Sequence, residues 1–417
     1  MMVKRLVRAT WVNAAAAGAV AVFGLAANAV HADEHNSTVD QSQANRLSTF
    51  HDYGLNAFGA TTGAVANTPG SPGHGMWTSF MGTQPAADVT PPDRGWYILG
   101  SPFVGYDTNP EARHEDRSSF FGGADLNAGY GIELEPNDPN LGGPAKFNMN
   151  YDLAGAIYEG HVKQADAVQQ TLSADGSYGV INKAMILSLR AQDQYTFMQG
   201  HSFLNTVDLV PSAEVFWFPQ WSTEFIYDYT LLDYFYPVTP SLDMDSDRHT
   251  LTANLHFYPL PPNPNAQVPE SKDRLTDLLR QMLHRATIGL AHVWNGSEGF
   301  SNEYEANRLI LGLQGLRFGN TPDLAFDLEY AHDWVNYLKG TTESLIPPPL
   351  GGSAKGFRRH DHIDFFTIRG NARLLDLPRN RGTLAGYLQY DLIFDQSNIF
   401  QRDYNEHIVS AGITYRY

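Results

Sequence analysis

The chain contains no cysteine. An exported protein that relied on disulfides would contain some, and the absence also excludes c-type haem attachment and thiolate metal sites. Long apolar runs are missing too: beyond the first 32 residues no stretch of about 20 apolar residues could cross a membrane as a helix. Cations are scarce, with 28 Lys and Arg against 45 Asp and Glu, a formal charge of −17. Such acidity argues against nucleic acid as a partner, because binding a polyanion needs basic surface. No Gly-x-Ser-x-Gly elbow and no phosphate-cradling loop followed by Lys occur, so the sequence points to no enzyme and no cofactor.

Among the features present, the first residues have the form of a secretory signal. Lys4, Arg5 and Arg8 make a basic start, and Ala14 to Ala27 form a small-residue apolar stretch. Cleavage fits after Ala29 or after Ala32, which sets a signal peptide at 1–32. Removing its three cations takes −17 to −20 in the mature chain. The other end reads HIVSAGITYRY. Val409, Ala411, Ile413, Tyr415 and Tyr417 fall on one face of an extended chain; Ser410, Gly412, Thr414 and Arg416 fall on the other.

The same two-faced alternation recurs from Gly95 onward. It predicts strands over 95–107, 118–133, 145–160, 166–179, 182–195, 201–217, 220–236, 246–259, 284–298, 302–317, 321–338, 358–376, 381–397 and 404–417. Each is longer than a globular strand and long enough to span a bilayer when tilted. The expected fold is all-β: a closed antiparallel transmembrane barrel of about 14 strands over 95–417. A chain that is polar on average can cross in this way, since only alternate residues meet lipid. A secreted sandwich or propeller has a similar composition.

With the amino-terminal end in the periplasm, short turns fall at Val180–Asn182, Pro219, Gly319-Asn320 and Pro378–Asn380, and longer loops at 108–117, 237–245 and 339–356. Residues 259–283 break this pattern. There Leu275, Leu278, Leu279, Met282 and Leu283 follow helical spacing, which predicts a short amphipathic periplasmic helix. It either covers barrel residues or offers 270–284 to a periplasmic partner. Residues 33–94, rich in Gly, Pro and Thr, show no sustained period; they are a plug inside the barrel or a free periplasmic segment.

The polar strand faces nominate the lumen. Glu224, Asp228, Asp327, Glu329, Asp391 and Asp395 are the expected inward acids, and Lys183, Arg190, Arg308, Arg369, Arg373 and Arg416 the inward cations. A charge facing a water-filled lumen is tolerated, whereas Arg or Lys on the lipid face costs about 2–4 kcal/mol near the midplane. Trp217, Trp294, Trp334, Tyr415 and Tyr417 suit interfacial girdles. His360 and His362 share a face and could together touch a metal, but no third ligand is identifiable, so no metal site is assigned.

Residues 95–417 resemble a Gram-negative outer-membrane β-barrel of the porin type. The resemblance rests on the aromatic-ended final strand, with Tyr417 where Phe is usual. It rests too on WYILGSPFVGYDTNPEARHEDRSSFFGGADLNAGY and FIYDYTLLDYFYPVTPSLDMDSDRHTLTANLHFY. It implies an outer-membrane location, lipid and lipopolysaccharide around the barrel, insertion machinery reading the last strand, and passive diffusion of small hydrophilic solutes. The inward carboxylates add a preference for cations. The alternatives are a plugged transporter or export conduit for a hydrophobic compound or polysaccharide, and a structural or adhesive barrel. A 14-strand barrel with a plug is also similar to the long-chain fatty-acid transporters, but their early Asn-Pro-Ala signature is missing; Asn-Pro occurs only at 109–110 and 263–264.

Overall fold

Alternation along each strand leaves one polar and one apolar face, and a sheet of such strands must close on itself to satisfy its edges in lipid. The computed structural model describes residues 95–108, 118–134, 145–160, 166–180, 184–198, 201–235, 245–260, 278–280, 282–297, 303–317, 324–338, 360–377, 382–397 and 404–416. Fourteen strands appear in it: β1 Gly95–Asp107, β2 Ser119–Leu134, β3 Ala145–Tyr158, β4 Ala167–Val180, β5 Met185–Met198, β6 His201–Phe218 and β7 Trp221–Tyr234. They continue as β8 Ser246–Phe257, β9 Arg285–Ser297, β10 Tyr304–Leu316, β11 Leu324–Tyr337, β12 His360–Asp376, β13 Thr383–Ser397 and β14 Tyr404–Arg416. Every strand pairs antiparallel with its sequence neighbours, and β1 closes the barrel on β14, Leu99 facing Arg416 and Asp107 facing Ile408.

Strand lengths run from 12 residues in β8 to 18 in β6, enough for a tilted span. Burial follows parity. In β8, Ser246, Arg248, Thr250, Thr252, Asn254 and His256 are buried while Leu251 and Leu255 are exposed. In β14, Ser410 and Thr414 are buried and Val409 and Ile413 exposed, as the alternation of the chain's end requires. The outward face is therefore mainly apolar and the inward face carries the polar side chains, with buried apolar residues such as Leu99, Phe103, Ile310 and Phe365 among them. Trp96, Trp217 and Trp221 sit exposed at the end where the chain enters β1 (the turn end); Trp294 and Trp334 sit near the opposite, loop end. These two levels are the aromatic girdles.

Three departures from the sequence expectation have physical causes. Strand β5 lies about three residues later than 182–195, because its ladder with β6 runs on through Phe197 facing Ser202 to Met198 facing His201. The connection from Leu134 to Ala145 is longer than the other turns at its end, apart from the stretch between Phe257 and Arg285. At the helix, only 278–280 and 282 are described as helical; Leu283 N donates to Leu279 O at 2.9 Å, and Arg317 N to Met282 O at 2.8 Å ties it to the end of β10. There Gly315 takes a φ of 63°, and a side chain on it would sit 2.7 Å from His284 Cβ, so glycine is required. Pro211, with no N–H, interrupts the β6–β7 ladder between Leu209 and Ser212. The expected signal peptide, the segment 33–94, and Tyr417 lie outside the described residues.

Candidate functional site: the barrel interior

Inward-facing positions carry the chemistry. Among the described residues, eleven buried carboxylates stand against four buried guanidiniums and no buried lysine. The acids are Asp107, Asp125, Asp152, Asp208, Glu214, Glu224, Asp333, Asp361, Asp391, Asp395 and Glu406; the cations are Arg248, Arg285, Arg308 and Arg369.

The cations are all on one side of the barrel, on β8, β9, β10 and β12, and each sits among acids. Arg308 holds Asp333 with both arms of its guanidinium, Nε to Oδ1 at 2.6 Å and Nη2 to Oδ2 at 2.5 Å. Arg248 reaches Thr230 Oγ1 at 3.3 Å and its charge bears on Asp208 and Asp228. The charge of Arg285 acts on Glu224 and Glu329. Arg369 lies 5.0 Å over the Tyr387 ring and acts on Asp327 and Asp391.

Around these pairs the inward acids are tied down by hydrogen bonds. Asp391 accepts from Thr367 Oγ1 (2.6 Å) and Gln389 Nε2 (2.8 Å). Asp327 accepts from Gly315 N (2.8 Å) and Asn371 Nδ2 (3.1 Å). Glu214 accepts from Ser222 Oγ (2.5 Å) and Tyr258 OH (3.1 Å), while His256 bridges Glu224 (3.3 Å) and Thr287 (2.9 Å). A wall so pinned presents fixed charges, not mobile ones.

The opposite side, β1 to β4, carries a single cationic side chain, Lys146, which faces Glu133, while Asp175 faces Arg190 of β5; Asp107, Asp125 and Asp152 have no cation opposite them on these strands. Asn127 Nδ2 donates to Asp152 Oδ2 at 3.1 Å and Asn148 Nδ2 to Asp175 Oδ2 at 3.0 Å. Tyr97 crosses Gly129, whose missing side chain leaves the room, to donate its hydroxyl to Asn150 Oδ1. The lumen thus has a charge-matched side and an acidic side.

Of the residues nominated from sequence, Glu224, Asp391, Asp395, Arg308 and Arg369 are buried on inward positions. Asp228, Asp327, Glu329 and Arg190 share that parity with partial exposure. Arg373 sits exposed at the rim, paired with Asp376 at 2.5 Å, because the β12–β13 register shifts between Arg373 and Leu375. Lys183 lies outside the described residues, as does the side chain of Arg416. Sequence reading missed Arg248, Arg285, Asp208, Glu214, Asp125, Asp152, Asp175 and the buried loop-end acids Asp107 and Glu406. Parity alone would have found most of them: Asp125 and Asn127 alternate with Ala124, Leu126 and Ala128, and Asn148, Asn150 and Asp152 with Phe147, Met149 and Tyr151.

His332 and His362 approach to 5.9 Å between rings on the outer face, yet no three His, Asp or Glu side chains among the described residues group as a metal site. His360 instead bonds Asn336 Oδ1 at 2.8 Å.

No known family model matches the chain, and no curated protein does. Several solved outer-membrane proteins are similar in structure. OccD3 (OpdP) of Pseudomonas aeruginosa is 8% identical, covers 81% of this chain and 97% of its own, and has a TM-score of 0.36. A FadL homologue of the same organism is 12% identical over 84% and 95%, with a TM-score of 0.38. A bacterial polysaccharide outer membrane secretin is 10% identical over 78% and 100%, with a TM-score of 0.35. An even number of antiparallel strands closed without an edge, an apolar outer band between two aromatic girdles and a polar interior make this molecule a transmembrane β-barrel of the outer-membrane type.

Proposed function

We propose that the barrel is a channel for passive diffusion of small hydrophilic solutes with a preference for cations. The observation that carries this reading is the excess of inward carboxylates over inward guanidiniums. Each guanidinium is already matched, so the surplus negative charge faces the lumen at short range. Charges on exposed loops are screened over about 8 Å at physiological salt, whereas rings of acids inside a pore act on each passing ion. Hydrogen bonds to Asp391, Asp327 and Glu214 keep these acids against the wall.

Part of residues 33–94 is proposed to lie inside the barrel and narrow it. Fourteen strands enclose more space than the eight whose interior side chains alone can fill. Inward polar side chains such as Gln194, Asn254 and Glu406 are nevertheless almost fully covered. The segment ends directly at Gly95, the first residue of β1, so it can enter the lumen without threading through the wall. The last strand is proposed to be read by the insertion machinery, and the helix near 278–282, with Leu278 and Leu279 exposed, to offer 270–284 to a periplasmic partner.

Liposome swelling tests the channel reading. Arginine should enter protein-containing liposomes faster than glutamine, and glutamine faster than glutamate. Equal rates for the three, or faster entry of glutamate, would contradict the proposed preference.

A further inference from the structure

On the acidic side of the lumen, three neighbouring side chains offer more oxygen than the wall uses. Asp125 and Asn127 are successive inward residues of β2, and Asp152 on β3 stands directly across from Asn127. Asp125 is 4% exposed and Asn127 5%, yet Asp125 Oδ1 and Asn127 Oδ1 accept no hydrogen bond from any described residue. Asn127 spends its Nδ2 on Asp152 Oδ2 (3.1 Å), which orients its amide and fixes the oxygen as the free end. The Asp152 carboxyl lies within hydrogen-bonding reach of Asp125. A buried acceptor without a donor costs on the order of 1–3 kcal/mol, more for a charged group, so two of them beside a second carboxylate call for a positive occupant. The wall supplies none: β1, β2 and β4 contain no Lys or Arg, and Lys146 lies near the turn end of β3, six residues before Asp152.

We infer that Asp125, Asn127 and Asp152 form a binding site for a hard divalent cation of the Ca²⁺ type on the lumen wall. The donor set is all oxygen: two carboxylates and one amide carbonyl, which suits Ca²⁺ or Mg²⁺ and not a soft metal. Water from the lumen completes the shell, as such ions commonly retain several waters. The competing occupant is a proton shared between the two carboxyls, which a divalent cation would displace on binding. The site rests on the lumen being water-accessible, as proposed above, and it would place a resident cation beside the path taken by diffusing ones.

Calcium titration of the full mature chain, refolded in detergent without lipopolysaccharide, tests this by calorimetry. The expected result is one Ca²⁺ per chain, with binding weakened by about tenfold or more in Asp125→Asn and in Asp152→Asn, since affinity follows the number of charged ligands. Both replacements keep the side-chain shape, and retained heat-modifiable migration on gels confirms that each variant is folded. Asp247→Asn, which removes an outward carboxylate on β8, should leave binding unchanged. The absence of Ca²⁺ binding to the parent protein would overturn the inference. So would equal binding by Asp125→Asn, or guanidinium displacing Ca²⁺ at equal concentration. Because the readout is binding and not current, an anion-selective pore would refute the channel reading while leaving this result standing.

Discussion

Replacing Asp333 with alanine is expected to destabilise the barrel by about 3–5 kcal/mol, the typical cost of removing one partner from a buried ion pair. Asp333 and Arg308 are both buried, on paired strands β11 and β10, and joined by two hydrogen bonds of 2.5 and 2.6 Å. Loss of the carboxylate leaves a guanidinium without its bidentate partner, and Arg308 Nη1 already has no acceptor among the described residues. The effect should appear as a lower temperature for conversion from the folded to the unfolded gel band. An Arg308→Met, Asp333→Leu double variant should recover much of the loss, because a buried pair can often be exchanged for apolar side chains of similar volume. If the alanine variant converts at the parent temperature, the pair is solvated and the lumen is wider at this level than the contacts imply.

Deleting residues 36–90 is expected to raise single-channel conductance by about twofold or more while leaving heat-modifiability intact, since a 14-strand barrel freed of an inner segment has space for water. The barrel itself should tolerate the deletion. Its closure is carried by the β1–β14 ladder from Leu99 to Asp107, well after the deleted stretch. Unchanged conductance would place the segment in the periplasm, and its aromatics Phe50, Tyr53, Phe58, Trp77 and Phe80 would then be available to a partner protein.

Strand number and strand faces were legible in the sequence because lipid enforces them. An outward Leu251 or Leu388 beside an inward Asn254 or Gln389 has no soluble-fold equivalent in bulk, and a one-residue slip would turn every such side chain to the wrong medium. What the sequence did not display is how inward charges divide between the two sides of the barrel. That depends on which strands become neighbours across several registers, so Arg248 finds Asp208 from two strands away, and Arg285 meets Glu224 and Glu329 on either side. Arg373 illustrates the same point at the rim: its parity is inward, but a register shift at the end of β12 turns it to Asp376. The oxygen cluster at Asp125, Asn127 and Asp152 was hidden because its members are polar residues of unremarkable type whose meaning lies in what fails to pair with them.

The central claim, that surplus inward carboxylates set the selectivity of an open path, is tested most directly by the reversal potential of the purified protein in a planar bilayer under a potassium chloride gradient. The account predicts a potential whose sign corresponds to potassium passing more readily than chloride, falling toward zero as salt rises and screening shortens. A potential of the opposite sign, favouring chloride, would contradict it.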